Sequence, residues 1–161
     1  VVDMSLETLL RLMECTTIQG YKDSSSNFVM ISELKRQLGD RLSLLAGNDE
    51  PLAAFLAMGG DGGILVASNV APAHFVELME NWRTNNLSAF KAQWKKVFPL
   101  LLALTRENNP APIKYAMTLV HGVSPENRLP YAPLLESVKK AIEDALENLG
   151  LWTPLASVRA R

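Results

Sequence analysis

The sequence predicts an α/β fold of parallel strands continued by a helical region, and three observations predict it. Strand-like segments at residues 17–22, 41–46 and 64–67 are each followed by apolar residues at helical spacing, which makes a βα repeat. The middle segment is nearly continuous in apolar content through Leu42, Leu44 and Leu45, the look of a strand buried on both faces of a parallel sheet. From Asn86 onward the strand signal stops and only helical periodicity remains.

The elements follow in order. Ser5 is a good N-cap for an amphipathic helix over residues 5–14, with Leu6, Leu9, Leu10, Leu12 and Met13 on its apolar side. The first strand ends at Lys22 and turns at once into the polar run Asp23-Ser24-Ser25-Ser26-Asn27. A helix over 28–38 comes next, closed by Gly39. The second strand, 41–46, ends at Gly47-Asn48-Asp49-Glu50, and Pro51 suits the first position of a short helix reaching Met58. Gly59-Gly60-Asp61-Gly62-Gly63 precedes the third strand, whereas nucleotide-binding glycine loops follow a strand and open a helix. These glycines are therefore read as a tight helix-to-strand connection with positive φ. Pro72 starts a further helix, and helices are expected over 87–107, 111–120 and 134–149. Trp82, Phe90, Trp94, Phe98 and Leu101 recur at helical spacing as core residues, and residues 153–161 read as a loose tail.

Composition narrows the function classes. The chain has 161 residues, 48% of them hydrophobic and 20% charged, which places it with globular proteins. A formal net charge of -1 provides no basic field for nucleic acid. No apolar run is long enough to span a bilayer and no signal-peptide pattern opens the chain, so a cytoplasmic location is expected. The single cysteine, Cys15, forms no intrachain disulfide and is expected to be a small core residue. His74 and His121 lack metal-ligand spacing, and neither a metal nor a cofactor is called for.

Chemistry is expected at the strand ends. A lysine at the carboxyl end of a parallel strand, facing a polar loop, stands where α/β barrels keep their reactive groups. Held among apolar neighbours, the Lys22 amine would be neutral and able to attack a ketone to form a Schiff base. Gly47 with Asn48 and Asp49, then residues 64–69, join Lys22 on the same rim. The hydroxyls of Ser24, Ser25 and Ser26 suit a carboxylate, and at least one of them suits a helix N-cap.

The wording of these segments resembles one family. Gly20-Tyr21-Lys22-Asp23-Ser24-Ser25 resembles the Schiff-base lysine motif of the dihydrodipicolinate synthase/N-acetylneuraminate lyase family of class I aldolases. Gly47 matches a family glycine that lines the pyruvate pocket. The stretch Gly60-Asp61-Gly62-Gly63-Ile64-Leu65-Val66 resembles the next strand, where the residue matching Ile64 offers its backbone to bound pyruvate. Asn109-Pro110-Ala111-Pro112-Ile113-Lys114, Gly122 and Arg128-Leu129-Pro130 resemble the family's carboxy-terminal helical region.

The resemblance implies the carboxy-terminal part of a (β/α)8 barrel, with residues 1–85 as its last three βα units, 86–152 as the helical region and 153–161 as the tail. It implies a Schiff-base lyase in which Lys22 is catalytic and Gly47 and Ile64 bind pyruvate, with an aldehyde as second substrate. The branch that condenses pyruvate with aspartate semialdehyde in lysine biosynthesis is the most similar. N-acetylneuraminate lyases and 2-keto-3-deoxy sugar acid aldolases share the pyruvate–lysine step. Two positions depart from the family wording: Ser26 stands where glycine is common, and Asn48 where an acid is common. A whole barrel takes roughly 250 residues, and the family's first five strands, with the tyrosine proton relay and the second-substrate arginine, have no counterpart in this sequence. The expected partner is therefore a complementing amino-terminal half or further copies of the chain, with a homotetramer implied by the family. A non-catalytic half-barrel is the alternative reading.

Overall fold

Ser5 does start the first helix. Its hydroxyl accepts the Thr8 amide hydrogen at 3.2 Å, and α1 runs Leu6–Leu12. The computed structural model describes residues 4–154, so most of the expected tail at 153–161 lies outside the described residues. The described chain divides into two compact units at Leu65 and Val66.

In the first unit β1 (Gly20–Asp23), α2 (Phe28–Leu38), β2 (Ser43–Ala46), α3 (Leu52–Ala57) and β3 (Gly62–Gly63) alternate as expected. The strands form one parallel sheet in the order β1-β2-β3, with Lys22 opposite Leu45 and Leu45 opposite Gly62. The core of this unit is made by Ile31, Leu34 and Leu38 of α2, Leu52, Phe55 and Leu56 of α3, and Leu42, Leu44 and Ala46 around β2. Gly39, with φ 56°, closes α2 in a conformation that a β-carbon would oppose.

Two expectations about the sheet are corrected. Burial along β2 alternates: Leu44 and Ala46 are buried, Ser43 is exposed and Leu45 is half-buried. Among the described residues one face of the strand joins the core and the other is open, so this unit by itself does not bury both faces of the apolar run. The third strand is not residues 64–67 but Gly62–Gly63, and Ala67–Asn69 forms a 3-10 turn. Close packing favours glycine at Gly63 and at Gly60 before the strand. A β-carbon on Gly63 would stand 2.8 Å from Leu65 Cδ2, and one on Gly60 would overlap the Phe55 ring. Only Gly59 in this run has the expected positive φ, 97°. Asp61 then ties the strand to its neighbour: its carboxylate accepts the Leu44 amide hydrogen at 2.8 Å, and its own amide donates to the Leu44 carbonyl at 2.8 Å. Lys35 neutralises this corner, 3.5 Å from Asp61 and 3.0 Å from Asp40, and the Asp40 bond holds the lysine's pKa above its ordinary value.

The second unit is helical: α4 (Pro72–Arg83), α5 (Leu87–Leu104), α6 (Ala111–His121) and α7 (Glu136–Asn148). The Asn86 side chain caps α5, accepting from the Ala89 amide. Glu107 receives the Leu135 amide hydrogen at 3.0 Å, which serves the start of α7. Leu78, Val97, Leu100, Leu101, Ala116, Ile142 and Leu146 form the core of this unit. The aromatic series is only partly core. Phe90 and Leu101 are buried, whereas Trp82, Trp94 and Phe98 are half-buried; the rings follow one another as Trp82–Phe90, Phe90–Trp94 and Trp94–Phe98 at 5.2, 6.3 and 5.5 Å. His74 is joined to the buried Gln93 at 2.9 Å, and His121 ends α6 at the surface. No helix among the described residues is long and apolar enough to cross a membrane.

Candidate functional site

Lys22, Gly47 and Ile64 come together at the carboxyl end of the sheet. The ladder pairs Asp23 with Ala46 and Ala46 with Gly63, so Gly47 and Ile64 each lie one residue past it and Lys22 one residue before its end. Main-chain bonds draw the ends tight. The Gly47 amide donates to the Asp23 carbonyl at 2.6 Å, and the Ile64 amide donates to the Ala46 carbonyl at 2.8 Å.

Gly47 has no room for a side chain. A β-carbon there would stand 2.8 Å from Lys22 Cε and 2.8 Å from the Asp23 carbonyl oxygen, and it would overlap Ser24 Oγ. The lysine stem and the serine hydroxyl therefore converge on the bare face of this glycine. Lys22 itself is exposed, and Ile64 is 54% exposed. The apolar enclosure that sequence reasoning asked of Lys22 is not provided by the described residues of this unit.

The loop after Lys22 is organised by Asp23, which sequence reasoning passed over as a site residue. Lys22 is exposed on one face of β1, and the next residue, Asp23, is 3% exposed on the other. Its carboxylate accepts from the Ser25 hydroxyl at 2.7 Å, the Ser26 amide at 3.1 Å and the Tyr21 hydroxyl at 3.1 Å. The signal was present in the sequence, because an aspartate two and three residues before serines is a turn-forming pattern. The helix cap is Asn27 rather than a serine: its side chain accepts the Met30 amide at 3.1 Å. Ser25 supports it by accepting the Asn27 amide. Ser26 sits at φ 58°, the left-handed region that glycine occupies freely, so the departure from the family wording keeps the backbone conformation that wording implies.

Asn48 is the second residue that sequence reasoning left without a role. Its Nδ2 donates to the Ser24 carbonyl at 2.9 Å, across 24 positions of sequence. Cys15 lies away from any core. It is exposed, and a hydrogen bond with Thr17 lowers its pKa, which corrects the expectation of a buried cysteine. A cleft of about 350 Å³ lies in the helical unit, lined by Ala111, Tyr115, Asn127 and Tyr131 among others, and none of the three site residues borders it.

Comparison with known proteins bears on this geometry. The family model described as the dihydrodipicolinate synthetase family matches residues 1–149. A 4-hydroxy-tetrahydrodipicolinate synthase of Methylobacterium radiotolerans is 36% identical over 94% of this chain and 50% of its own length. One of Acidiphilium cryptum is 38% identical over 94% of this chain and 52% of its own. Among solved structures, dihydrodipicolinate synthase from Aquifex aeolicus superposes with a TM-score of 0.87 at 29% identity, over 93% of this chain and 52% of that one. The Thermotoga maritima enzyme gives 0.83 at 33% identity, over 91% and 51%. The chain thus spans about half the length of the curated relatives it matches, and its three-stranded sheet with helices is part of a (β/α)8 barrel. A match over nearly its whole length, in sequence and in fold, shows that the chain belongs to the dihydrodipicolinate synthetase family.

Proposed function

We propose that this chain carries the imine-forming part of a pyruvate-dependent lyase, most like 4-hydroxy-tetrahydrodipicolinate synthase, with Lys22 as the nucleophile. The observation that supports it most directly is the approach of Lys22 Cε to the bare face of Gly47, with the Ile64 backbone on the same rim. The neutral Lys22 amine attacks the ketone carbon of pyruvate, and the carbinolamine loses water to leave an iminium. Loss of a proton from the adjacent methyl carbon gives an enamine, whose carbon forms the new bond to the aldehyde carbon of the second substrate. We take that aldehyde to be aspartate semialdehyde, as the resemblance to the family's lysine-biosynthesis branch implies. Water later releases the product and restores the amine.

The missing side chain at Gly47 lets the Lys22 stem lie against the strand end, which holds the amine on the rim where we place the keto acid. The Ile64 amide is committed to the Ala46 carbonyl, so the Ile64 carbonyl is the backbone group we assign to the bound keto acid. The exposure of Lys22 fits a site that a further part of the barrel completes. We assign that role to a complementing amino-terminal half, on the same polypeptide or another, which would also bring the proton relay. Assembly into a homo-oligomer, a cytoplasmic location and the division into a barrel part at 1–85 and a helical region at 86–152 belong to the same reading. The exposure of Lys22 also favours one other reading, a half-barrel without catalysis.

The test is to incubate the chain with pyruvate and sodium borohydride and to measure intact mass, with Lys22→Ala in parallel. A reduced adduct that maps to Lys22 and is absent from the variant is expected. A folded sample without an adduct, both alone and with the complementing amino-terminal half added, would favour the non-catalytic reading.

A further inference from the structure

We propose that Asn48 is a positioning residue for Lys22, its side-chain amide pinning the first loop residue after β1 to the end of β2; this rests on Lys22 being the imine-forming amine. A parallel ladder lasts only while both strands stay extended and in register. Here the register ends with Asp23 opposite Ala46, and the Gly47 amide then donates to the Asp23 carbonyl at 2.6 Å. The next carbonyl, that of Ser24, belongs to a chain already turning into the loop. Asn48 takes it with a side chain, Nδ2 to oxygen at 2.9 Å. Two consecutive residues at one strand end therefore hold two consecutive carbonyls at the other, and Lys22 is the residue immediately before both.

The consequence for Lys22 is directional. Its Cε already lies against Gly47, so the path of its stem depends on where the backbone from Asp23 to Ser24 is held. The buried Asp23 carboxylate holds the loop from the other face of the strand, through Ser25 and Ser26. Asn48 adds the hold on Ser24. In this chain a donor serves here, although an acid is common at the position in the family. An ionised aspartate at this position offers acceptors alone and would set a carboxylate oxygen against the Ser24 carbonyl oxygen. Alanine would leave the carbonyl to water.

The experiment compares the full chain with Asn48→Ala and Asn48→Asp. The rate of borohydride-trapped adduct at Lys22 is followed against pyruvate concentration, and the urea midpoint is measured on the same samples. Misplacing a reacting group by about 1 Å can cost up to roughly 10²-fold in rate. The maximal trapping rate is expected to fall about tenfold in Asn48→Ala and further in Asn48→Asp, within that range. The pyruvate concentration giving half the maximal rate should not move, because the pinned loop orients the amine rather than the keto acid. A residue with a merely structural part would shift the urea midpoint and leave the rate per folded molecule unchanged. That result, or equal maximal rates in all three proteins, overturns the proposal while leaving Lys22 as the nucleophile. Absence of an adduct on the unsubstituted chain, also with the complementing amino-terminal half supplied, removes the pyruvate reading and this inference with it.

Discussion

Gly47→Ala is the substitution whose outcome the geometry constrains most. The new β-carbon would lie 2.8 Å from the Asp23 carbonyl oxygen and 2.8 Å from Lys22 Cε, both inside normal van der Waals separation, and would also overlap Ser24 Oγ. The serine hydroxyl can rotate away and the lysine stem can swing. The carbonyl oxygen cannot move alone, because it accepts the Gly47 amide at 2.6 Å. The strand ends must therefore separate by a few tenths of an ångström, and overpacking of this kind costs about 1–3 kcal/mol. With a urea dependence of about 1–3 kcal/mol per molar, the unfolding midpoint should drop by about 1 M. Circular dichroism during urea titration reads the stability. Trapping with pyruvate and borohydride reads the displaced lysine, and the rate per folded molecule should fall by at least about tenfold. Adding Ser24→Ala removes the overlap with Oγ and should restore little, since the carbonyl contact remains. A midpoint and a trapping rate both equal to those of the unsubstituted chain would falsify the claim that Gly47 is bare for want of space.

Four further outcomes follow from the same coordinates. Asp23→Asn turns one of two accepting oxygens into a donor facing the donors of Ser25, Ser26 or Tyr21, and should cost about 1–3 kcal/mol in urea unfolding; an unchanged midpoint would remove Asp23 as the loop's organiser. Ser26→Gly relieves a positive φ of 58° and should raise stability by up to about 1 kcal/mol, so a loss would show that the serine side chain matters more than the backbone. Burial pushes the Tyr115 pKa up, and its hydrogen bond to Glu143 at 2.6 Å adds to this, so phenolate absorbance should keep rising past the usual tyrosine range of about 10 and Tyr115→Phe should reduce that late rise. The sign follows from proton binding: the folded state holds this proton more tightly, so its stabilisation is complete below about pH 10 and is lost as pH climbs further. The exposed Cys15 thiol, its pKa lowered by Thr17, should react with a thiol reagent in the native state, and Thr17→Val should slow that reaction; full protection in the folded protein would contradict the exposure.

Local chemistry made much of this protein legible. Ser5 caps α1, Gly39 ends α2, and Pro72 begins α4, because caps and breakers act within a few residues of themselves. The alternation of strands and helices, and Lys22 near a strand's carboxyl end, were readable for the same reason. Properties that depend on partners distant in sequence were not. Leu42, Leu44 and Leu45 read as continuous burial, and only the packed sheet decides that one face is open among the described residues. Glycine has low strand propensity, so Gly62–Gly63 was read as a turn; main-chain pairing with β2, flanked by the Asp61–Leu44 and Ile64–Ala46 bonds, makes it the strand. The bare face of Gly47 and the amide of Asn48 acquire meaning only when β2 is laid beside β1, 24 residues away for the Asn48–Ser24 bond. The sequence by itself determined the alternation of strands and helices and placed Lys22 near a strand's carboxyl end. The tertiary structure decided how that amine is held, because the atoms that hold it come from strand ends which the sequence keeps apart.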